Sequence, residues 1–345
     1  MFGTRTLSTI TGLSLLAMGT SMTAAQADEV GDFYKGNQLT IIVGFGAGGG
    51  YGTYARLIGQ HLGKYLPGKP NFVPQFMPGG GSLKMANYMY TIAPKNGTFI
   101  GMASPVLPVF QLIRSKGFKL DVRKFSYIGR MATQKHVMMV RSDTGIKTID
   151  DIKKRVVTTA ASGKGSPTFI FPTMMNALLG TKFKVITGYK GSAGGRLSLE
   201  RGETQSMTSG WISWKATSPQ WLKSNFIIPV VELGLDKSPD LPKGVPLILD
   251  LAKNAADRKF IEFMMGPTIT GRSLFGPPGI PKARLAALRT AYDKMVRDPA
   301  FLKEAKKRRL EIHPMGGVEV TRRIIATASV GPDVVKRAKA ALGYK

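Results

Sequence analysis

The sequence predicts an α/β protein with two lobes, and three observations support this prediction. Apolar, β-branched runs such as Leu39–Val43 are typical of strands that are buried on both faces of a sheet. Glycine-rich loops follow several of these runs, and segments with the apolar spacing of helices follow the loops. An alternation of strand, loop and helix is typical of the α/β class.

In the first half of the chain, the pattern predicts strands at residues 39–43, 71–76 and 99–102 and helices at residues 53–62 and 83–90. Glycine or proline, which most often interrupt regular structure, separates these elements. The loop at residues 44–49 reads Gly-Phe-Gly-Ala-Gly-Gly and joins the first strand to the first helix. A second loop, Pro-Gly-Gly-Gly-Ser at residues 78–82, precedes the second helix.

The second half repeats this organisation. Strands are predicted at residues 136–140, 155–159, 184–187 and 226–231, with a short helix at 149–153 capped by Thr148. Glycine loops at residues 161–166 and 189–195 each open a further helix. From residue 282 the chain is mostly helical, and residues 284–296 are the clearest amphipathic segment. We expect these C-terminal helices to pack on one of the two lobes.

The first 27 residues have the pattern of a secretory signal peptide. Arg5 supplies the positive end, residues 7–22 form a short apolar stretch, and Ala25-Gln26-Ala27 has the small residues of a cleavage site. The stretch is too short and too interrupted to span the roughly 30 Å of a bilayer core. We expect cleavage after Ala27 and an exported protein.

The composition excludes several classes of function. The chain has no cysteine, so disulfides, thiolate catalysis and cysteine-ligated metals are excluded. Its three histidines are scattered without the spacing of a metal site, and no nucleophile or P-loop motif is evident. We therefore expect no metal, no cofactor and no enzymatic activity. The 49 Lys and Arg against 21 Asp and Glu give a net charge of +28, which indicates anionic partners.

The first glycine loop matches Gly-x-Gly-x-x-Gly, the fingerprint of dinucleotide-binding proteins. That fingerprint requires an acidic residue about 20 positions downstream to hold the ribose. No Asp or Glu occurs between Phe33 and Leu120, which argues against a dinucleotide site. Glycine-rich helix starts also bind anions through their free backbone N–H groups. The loop at Ser162–Ser166 offers the same chemistry, with Lys164 added as a candidate counter-charge.

The chain resembles the substrate-binding proteins of tripartite tricarboxylate transporters, the TctC or Bug family. The apolar strand, glycine loop and Ala-Arg helix of that family correspond to residues 41–56. Its second signature is a Pro-Gly loop followed by Ala-Pro-x-Asp-Gly-Thr, and it corresponds to residues 78–82 and 93–98. Its Tyr-Lys-Gly-Ser-Ala segment is intact at residues 189–193, and Pro-Pro-Gly-Ile-Pro occurs at 277–281. Four motifs in the family's order make the resemblance specific.

The resemblance implies a type II-like periplasmic solute-binding protein, each lobe a sheet flanked by helices, with the ligand in a cleft between the lobes. It implies a first lobe at residues 28–131 and 270–345, and a second lobe at 132–269. It also implies a monomer that binds a small carboxylate and docks to the membrane permease subunits of the transporter, with no nucleic acid as partner. The ligand-binding residues expected are Ala47, Gly48, Gly49, Tyr51, Gly52, Thr53, Ser162, Gly163, Lys164, Gly165, Ser166, Ser192 and Ala193.

Two departures from the family pattern affect the predicted site. Gly52 stands where the family usually has Asp in the first loop, and Asn96 replaces the usual Asp before Gly97. Loss of negative charge beside an anion site predicts that Gly52→Asp alters ligand affinity or preference. Two other functions stay open: a periplasmic receptor that reports its ligand to a signalling partner, and a polyanion-binding protein that uses the basic stretches at residues 303–309 and 336–339.

Overall fold

The computed structural model describes residues 29–114 and 117–344. The signal peptide predicted at residues 1–27 lies outside the described residues. The strands are β1 Leu39–Val43, β2 Phe72–Phe76, β3 Phe99–Met102, β4 Ser126–Arg130, β5 His136–Arg141, β6 Val157–Ala161, β7 Phe183–Thr187, β8 Ser206–Gly210, β9 Ile227–Leu233, β10 Ser273–Gly276 and β11 Met315–Gly316.

Helices follow most of these strands, and we number them from Gly50. They are α1 Gly50–His61, α2 Leu83–Thr91, α3 Leu107–Ile113, α4 Ile149–Lys154, α5 Pro167–Leu179, α6 Ser192–Glu200, α7 Trp211–Thr217, α8 Pro219–Lys223, α9 Ala255–Met265, α10 Pro267–Thr270, α11 Lys282–Met295, α12 Pro299–Lys307, α13 Gly317–Ala328 and α14 Pro332–Ala341.

The first sheet has the strand order β11-β4-β10-β3-β1-β2. Strands β2, β1 and β3 are parallel, with Ile41 aligned with Pro74 and Ile100, whereas β10 is antiparallel to both β3 and β4. All five residues of β1 are buried, because helices cover both faces of a sheet built from crossovers. Because β1, β2 and β3 are parallel, the loops that follow them all leave the sheet at the carboxyl ends of its strands.

The second sheet has the order β7-β6-β8-β5-β9. Here β7, β6 and β8 are parallel, while β5 is antiparallel to β8 and β9. Pro229 lies on the edge strand β9, and Pro74 lies on the edge strand β2 of the first sheet. Proline has no N–H to donate to a ladder, so both positions are the ones that a sheet tolerates.

The chain crosses between the sheets through two segments that pair with each other. It leaves the first sheet after β4 and enters the second at β5, and it returns after α10 to β10. The amide of Met131 donates to the carbonyl of Arg272, and the amide of Arg272 donates to that of Ala132, both at 2.9 Å. The strands of the first sheet thus come from residues before 131 and after 272. The exact lobe boundaries at 131/132 and 269/270 stay a prediction.

The C-terminal helices differ from the expectation that they all pack on one lobe. Helix α11 contacts β4, and α13 contacts both β4 and α3, all on the side of the first sheet. Helix α14, however, contacts α3 and also α5 and α9, which belong to the other side. Ala338 of this helix and Leu342 just after it are buried in the core, and Arg337 pairs with Asp257 of α9, so the last helix contacts both halves.

Most of the predicted elements are confirmed, and their first and last residues agree with the structure to within one to three positions. The cap predicted at Thr148 is confirmed at α4, where Thr148 and Asp151 form a capping box. Four strands were missed: β4, β8, β10 and the two-residue β11. Strand β8 reads Ser-Met-Thr-Ser-Gly, and all five residues are buried in the middle of the second sheet. Small polar residues have low β propensity, so only the neighbouring strands explain why this segment is extended. Among the described residues, no helix is long and apolar enough to cross a membrane.

Candidate functional site

A cavity lies between the two sheets, where the loops at the carboxyl ends of their parallel strands face each other. Open α/β sheets bind ligands in this position. The cavity volume is about 40 Å³, or about 460 Å³ when all the space not filled by atoms, including the part open to solvent, is counted. Its lining is Phe45, Gly49, Gly50, Tyr51, Pro105, Gln134, His136, Ser162, Ser166, Pro167, Thr168, Gly191, Ser192, Ser209, Gly210 and Ser213.

Three helices of ordinary length begin at the wall of this cavity. Their N-cap residues, Gly49 of α1, Ser166 of α5 and Gly191 of α6, all line it. None of the three has an acidic residue in its first turn, and no side chain caps the first amides of any of them. The first N–H groups of a helix carry partial positive charge and lack partners within the helix. The cavity wall is therefore rich in donors and electrically positive.

Backbone donors are left free at these helix starts. Within residues 29–114 and 117–344, the amides of Gly50 and Tyr51 have no protein acceptor, and neither has that of Ser192. Glycine before the first turns of α1 and α6 keeps side chains away from these N–H groups. The arrangement can therefore hold an oxygen-rich anion by main-chain hydrogen bonds.

A polar chain of three side chains forms another wall. Tyr51 Oη donates to Gln134 Oε1 at 2.8 Å, and Gln134 Nε2 lies 3.2 Å from His136 Nε2. Because the amide nitrogen only donates, His136 Nε2 accepts and the ring proton lies on Nδ1, which has no partner among the described residues. Burial, reinforced by the positive charge of Arg272, lowers the pKa of His136 to about 3. Burial likewise raises the pKa of Tyr51, so both groups are neutral near pH 7.

Hydroxyl groups complete the lining on the side of the second sheet. Ser166 Oγ donates to the Gly163 carbonyl at 2.7 Å, and Thr168 Oγ1 accepts from the Ser162 amide at 3.0 Å. These bonds fold the loop after β6 into a tight turn at the start of α5. Phe45 packs on the ring of Tyr51, with centroids 4.8 Å apart, and supplies the apolar part of the wall.

The loops of the two sides touch each other around the cavity. The Gly46 amide donates to the Lys190 carbonyl at 3.1 Å, and Arg196 Nη2 donates to the Gly48 carbonyl at 2.9 Å. A Cβ on Gly81 would lie 2.4 Å from backbone atoms of Gly165 and Ser166. Glycine thus permits a backbone-to-backbone approach that other residues would prevent.

The predicted binding residues fall into two groups. Gly49, Tyr51, Ser162, Ser166 and Ser192 line the cavity, so the structure brings residues of all three predicted loops together. The others do not line it: Ala47, Gly48, Gly52, Thr53, Gly163, Lys164, Gly165 and Ala193. Among these, Ala47, Gly48 and Lys164 are exposed, whereas Gly163 and Gly165 form contacts with the loop at Gly80 and Gly81. A direct role for each in binding stays a prediction.

Gly52 is constrained by packing. A Cβ at this position would lie 2.0 Å from the Ala47 carbonyl oxygen and 2.8 Å from its carbon. The absence of the family's Asp at this position is therefore accompanied by a local backbone path that leaves no room for any side chain. Gly52→Asp is therefore expected to disturb the local packing and does not test ligand affinity or preference by itself.

Sequence reasoning missed several lining residues: Phe45, Gln134, His136, Thr168, Ser209, Gly210 and Ser213. Gln134 and His136 lie at the crossing between the sheets, and Ser209 and Gly210 end a strand without β propensity. The one signal that pointed to Gln134 and His136 was their closeness in sequence to the predicted lobe boundary at 131/132.

Comparison with known proteins gives the following matches. No family model matches the chain. It is 25% identical over 234 residues to a UPF0065 protein of Cupriavidus necator, covering 65% of this chain and 64% of that protein. It is 28% identical over 191 residues to a UPF0065 protein of Agrobacterium vitis, covering 52% and 54%. The chain thus matches less than two thirds of the length of either curated relative.

Solved structures match over most of the chain. The periplasmic binding protein BugD gives a TM-score of 0.71 at 18% identity, covering 88% of this chain and 97% of that chain. R. palustris Rpa4515 with adipate gives 0.68 at 18% identity, covering 89% and 97%. MatC from Rhodopseudomonas palustris with bound malate gives 0.67 at 17% identity, covering 88% and 98%.

These matches confirm the fold class predicted from the sequence, two sheets flanked by helices in a two-lobed arrangement. The same matches confirm the resemblance that the four sequence motifs indicated. The chain has the fold of the Bug and TctC periplasmic binding proteins.

Proposed function

We propose that this chain belongs to the Bug and TctC family and captures a small organic carboxylate between its two halves. One observation carries the proposal: three helices begin at a single cavity, and none of the described residues that line it is acidic. Carboxylate oxygens are acceptors only, and this wall offers mainly donors. A cationic ligand of the same size would leave these donors unsatisfied, and a neutral one would offer them weaker acceptors than a carboxylate does.

The hydrogen bonds and helix N-termini of this wall supply free energies of the order that micromolar binding requires. Each hydrogen bond to a charged ligand contributes roughly 1.5–3 kcal/mol, and a helix N-terminus adds about 0.3–1 kcal/mol. Three or four such donors sum to about 5–12 kcal/mol, the same order as the roughly 8 kcal/mol of micromolar binding before association costs are subtracted. Backbone donors on rigid helix starts lose little freedom on binding, which keeps that cost low.

The size of the cavity limits the ligand to a small molecule. The space not filled by atoms is about 460 Å³, part of it open to solvent, and this lies in the range of small-molecule sites. Two of the structurally similar proteins were solved with adipate and with malate bound. Both are small dicarboxylates, so they are the first ligands to test here.

Capture between two halves couples binding to a conformational change. A ligand that contacts the starts of α1, α5 and α6 at once stabilises the conformation in which Gly46 and Lys190 touch. We propose that the occupied form, in the periplasm, is what the permease subunits of a tripartite tricarboxylate transporter recognise. A signalling partner that recognises the same form is the second candidate.

Ligand binding is tested by thermal shift and calorimetry with the purified protein. The panel contains malate, adipate, citrate and benzoate, each beside its uncharged amide. A ligand at about 100 times its Kd stabilises the fold by about 2.7 kcal/mol, which raises Tm by several degrees. A carboxylate must produce this shift and its amide must not; equal shifts, or none with any acid, contradict the proposal.

Two further measurements separate the alternative functions. Affinity for a buried carboxylate should fall only modestly between about 0.05 M and 0.5 M salt, whereas binding to a polyanion such as heparin should collapse. Uptake of the identified radiolabelled acid should be lost in cells that lack the protein if it serves a transporter. Unchanged uptake would favour the signalling candidate.

A further inference from the structure

Arg272 is a fully buried arginine at the crossing between the two sheets. It follows α10 directly, and its backbone pairs with Met131 and Ala132 of the other crossing segment at 2.9 Å on each side. Its guanidinium turns away from these bonds toward the start of α1. The side chain is thus held by the crossing while its charge lies beside the helices that form the cavity.

The guanidinium has incomplete partners. Nη2 donates to Ser213 Oγ at 2.6 Å, and the carbon Cζ lies 4.5 Å and 4.8 Å from the ring centroids of Tyr51 and Tyr54. In the part of the chain that the structure describes, Nε and Nη1 have no acceptor, and no carboxylate pairs with Arg272. Aromatic faces attract a cation, but they are only weak acceptors for the hydrogen bonds of its N–H groups.

A buried arginine without a counter-ion is costly to the folded state. The guanidinium stays protonated in proteins, so it cannot relieve the cost by losing its proton. An uncompensated buried charge normally destabilises a protein strongly, and it is retained where a counter-charge is supplied. A negatively charged ligand that binds beside Arg272 can supply the missing counter-charge.

The cavity lies on the other side of a thin layer of backbone. A Cβ built on Gly50 would be 3.0 Å from Arg272 Nη2, and one built on Gly210 would be 3.5 Å away. Gly50, Gly210 and Ser213 all line the cavity. The positive charge therefore sits directly beneath its floor, and the two glycines remove the side chains that would have separated them.

Ser213 connects the two. Its oxygen accepts from Arg272, so its own proton is free, and no acceptor for that proton exists among the described residues. A serine hydroxyl that accepts from a cation is also a stronger donor, since bonds in a chain polarise one another. The arrangement presents a charge-assisted donor to whatever occupies the cavity.

We propose that Arg272, acting through Ser213 and across Gly50, is the specificity-determining counter-charge of the cavity and selects ligands that carry a full negative charge. The proposal rests on the proposed capture of a carboxylate and names what makes that capture selective. Arg272 is a positioning residue, because Ser213 stands between its Nη2 and the cavity. Its location also places the charge where the chain passes between the two sheets.

The experiment compares affinities for adipate and malate with those for their diamides. We expect Arg272→Met to weaken binding of the acids about 30-fold or more and binding of the diamides less than about threefold. Arg272→Lys keeps the charge and should recover most of the acid-to-amide ratio. Ser213→Ala should lower that ratio about tenfold and still fold, so it decides the question if Arg272→Met does not fold.

Arg130 provides a matched control. It is also buried, at the same crossing, but its guanidinium donates to the carbonyls of His313 and Ile269. Arg130→Met should lower Tm and leave the acid-to-amide ratio unchanged. The counter-charge role is overturned if acid binding persists and both Ser213→Ala and Arg272→Met keep the wild-type acid-to-amide ratio. If Arg272→Met does not fold, a wild-type ratio in Ser213→Ala alone overturns it. A wild-type protein that binds no acid at all overturns the capture role as well.

Discussion

Gly46 and Lys190 meet across the cavity, with the Gly46 amide 3.1 Å from the Lys190 carbonyl oxygen. A Cβ on Gly46 would lie 2.3 Å from that oxygen. The two residues belong to loops after β1 and β7, on opposite sheets, so their contact measures how closely the halves approach. The absence of one side chain is thus a condition for the closed arrangement.

Gly46→Ala should weaken ligand binding without unfolding either half. The added methyl group clashes only when the halves approach, so it destabilises the closed form by about 1–3 kcal/mol and lowers affinity about 5- to 100-fold. Calorimetry with the best acid of the panel measures the change. Gly59→Ala is the control, because its Cβ meets only ordinary contacts, the nearest at 3.5 Å. Equal affinity in wild type and Gly46→Ala would contradict this account.

Gly52→Asp should reduce stability, and Gly52→Ala should reduce it almost equally. Both place a Cβ against the Ala47 carbonyl, which is backbone and cannot rotate away. We expect a loss of about 1–3 kcal/mol in urea unfolding for each variant. If Gly52→Ala were neutral and Gly52→Asp alone weakened acid binding, charge and not space would be the cause.

His136 should make the protein less stable as the pH falls. Its pKa is about 3 in the folded state, against 6.5 for an ordinary histidine, because burial opposes the charged form. Between these values the unfolded chain binds a proton that the folded chain does not, so the free energy of unfolding falls by up to about 1.4 kcal/mol per pH unit. Above about pH 6.5 the contribution is flat.

The test is urea unfolding of wild type and His136→Gln at about pH 7 and about pH 4.5. The variant lacks the titrating group, so its stability should fall less over this interval. Parallel losses in the two proteins would show that His136 does not titrate as expected.

Arg196→Met should increase the rate of ligand dissociation. Arg196 Nη2 donates to the Gly48 carbonyl of the opposite half, and burial lowers the pKa of its guanidinium. Loss of one partly exposed bond of this kind should raise koff about 2- to 10-fold, with Tm of the ligand-free protein little changed. Stopped-flow displacement measures koff. Arg201→Met, an exposed change on the same side, should leave it unaffected.

Parts of the site follow from local sequence because their chemistry is local. A glycine run between a strand and a helix predicts free amides at a helix start wherever it occurs, and the loops at residues 44–49, 162–166 and 189–193 all have it. Gln134, His136 and Ser213 carry no comparable signal. Their position depends on two crossing segments that pair although about 140 residues separate Met131 from Arg272.

The sequence by itself determined the α/β class, the alternation of strands with glycine loops, and the supply of anion-binding amides. Periodicity and glycine content act over a few residues, so they can be recognised along the chain. Only the tertiary structure decided that three helix starts share one cavity and that Gly52 has no room for a side chain. It also placed Arg272, which has no carboxylate partner in residues 29–114 and 117–344, under the floor of the cavity. These properties depend on which distant atoms become neighbours and which buried polar groups are left unpaired, and both arise from packing.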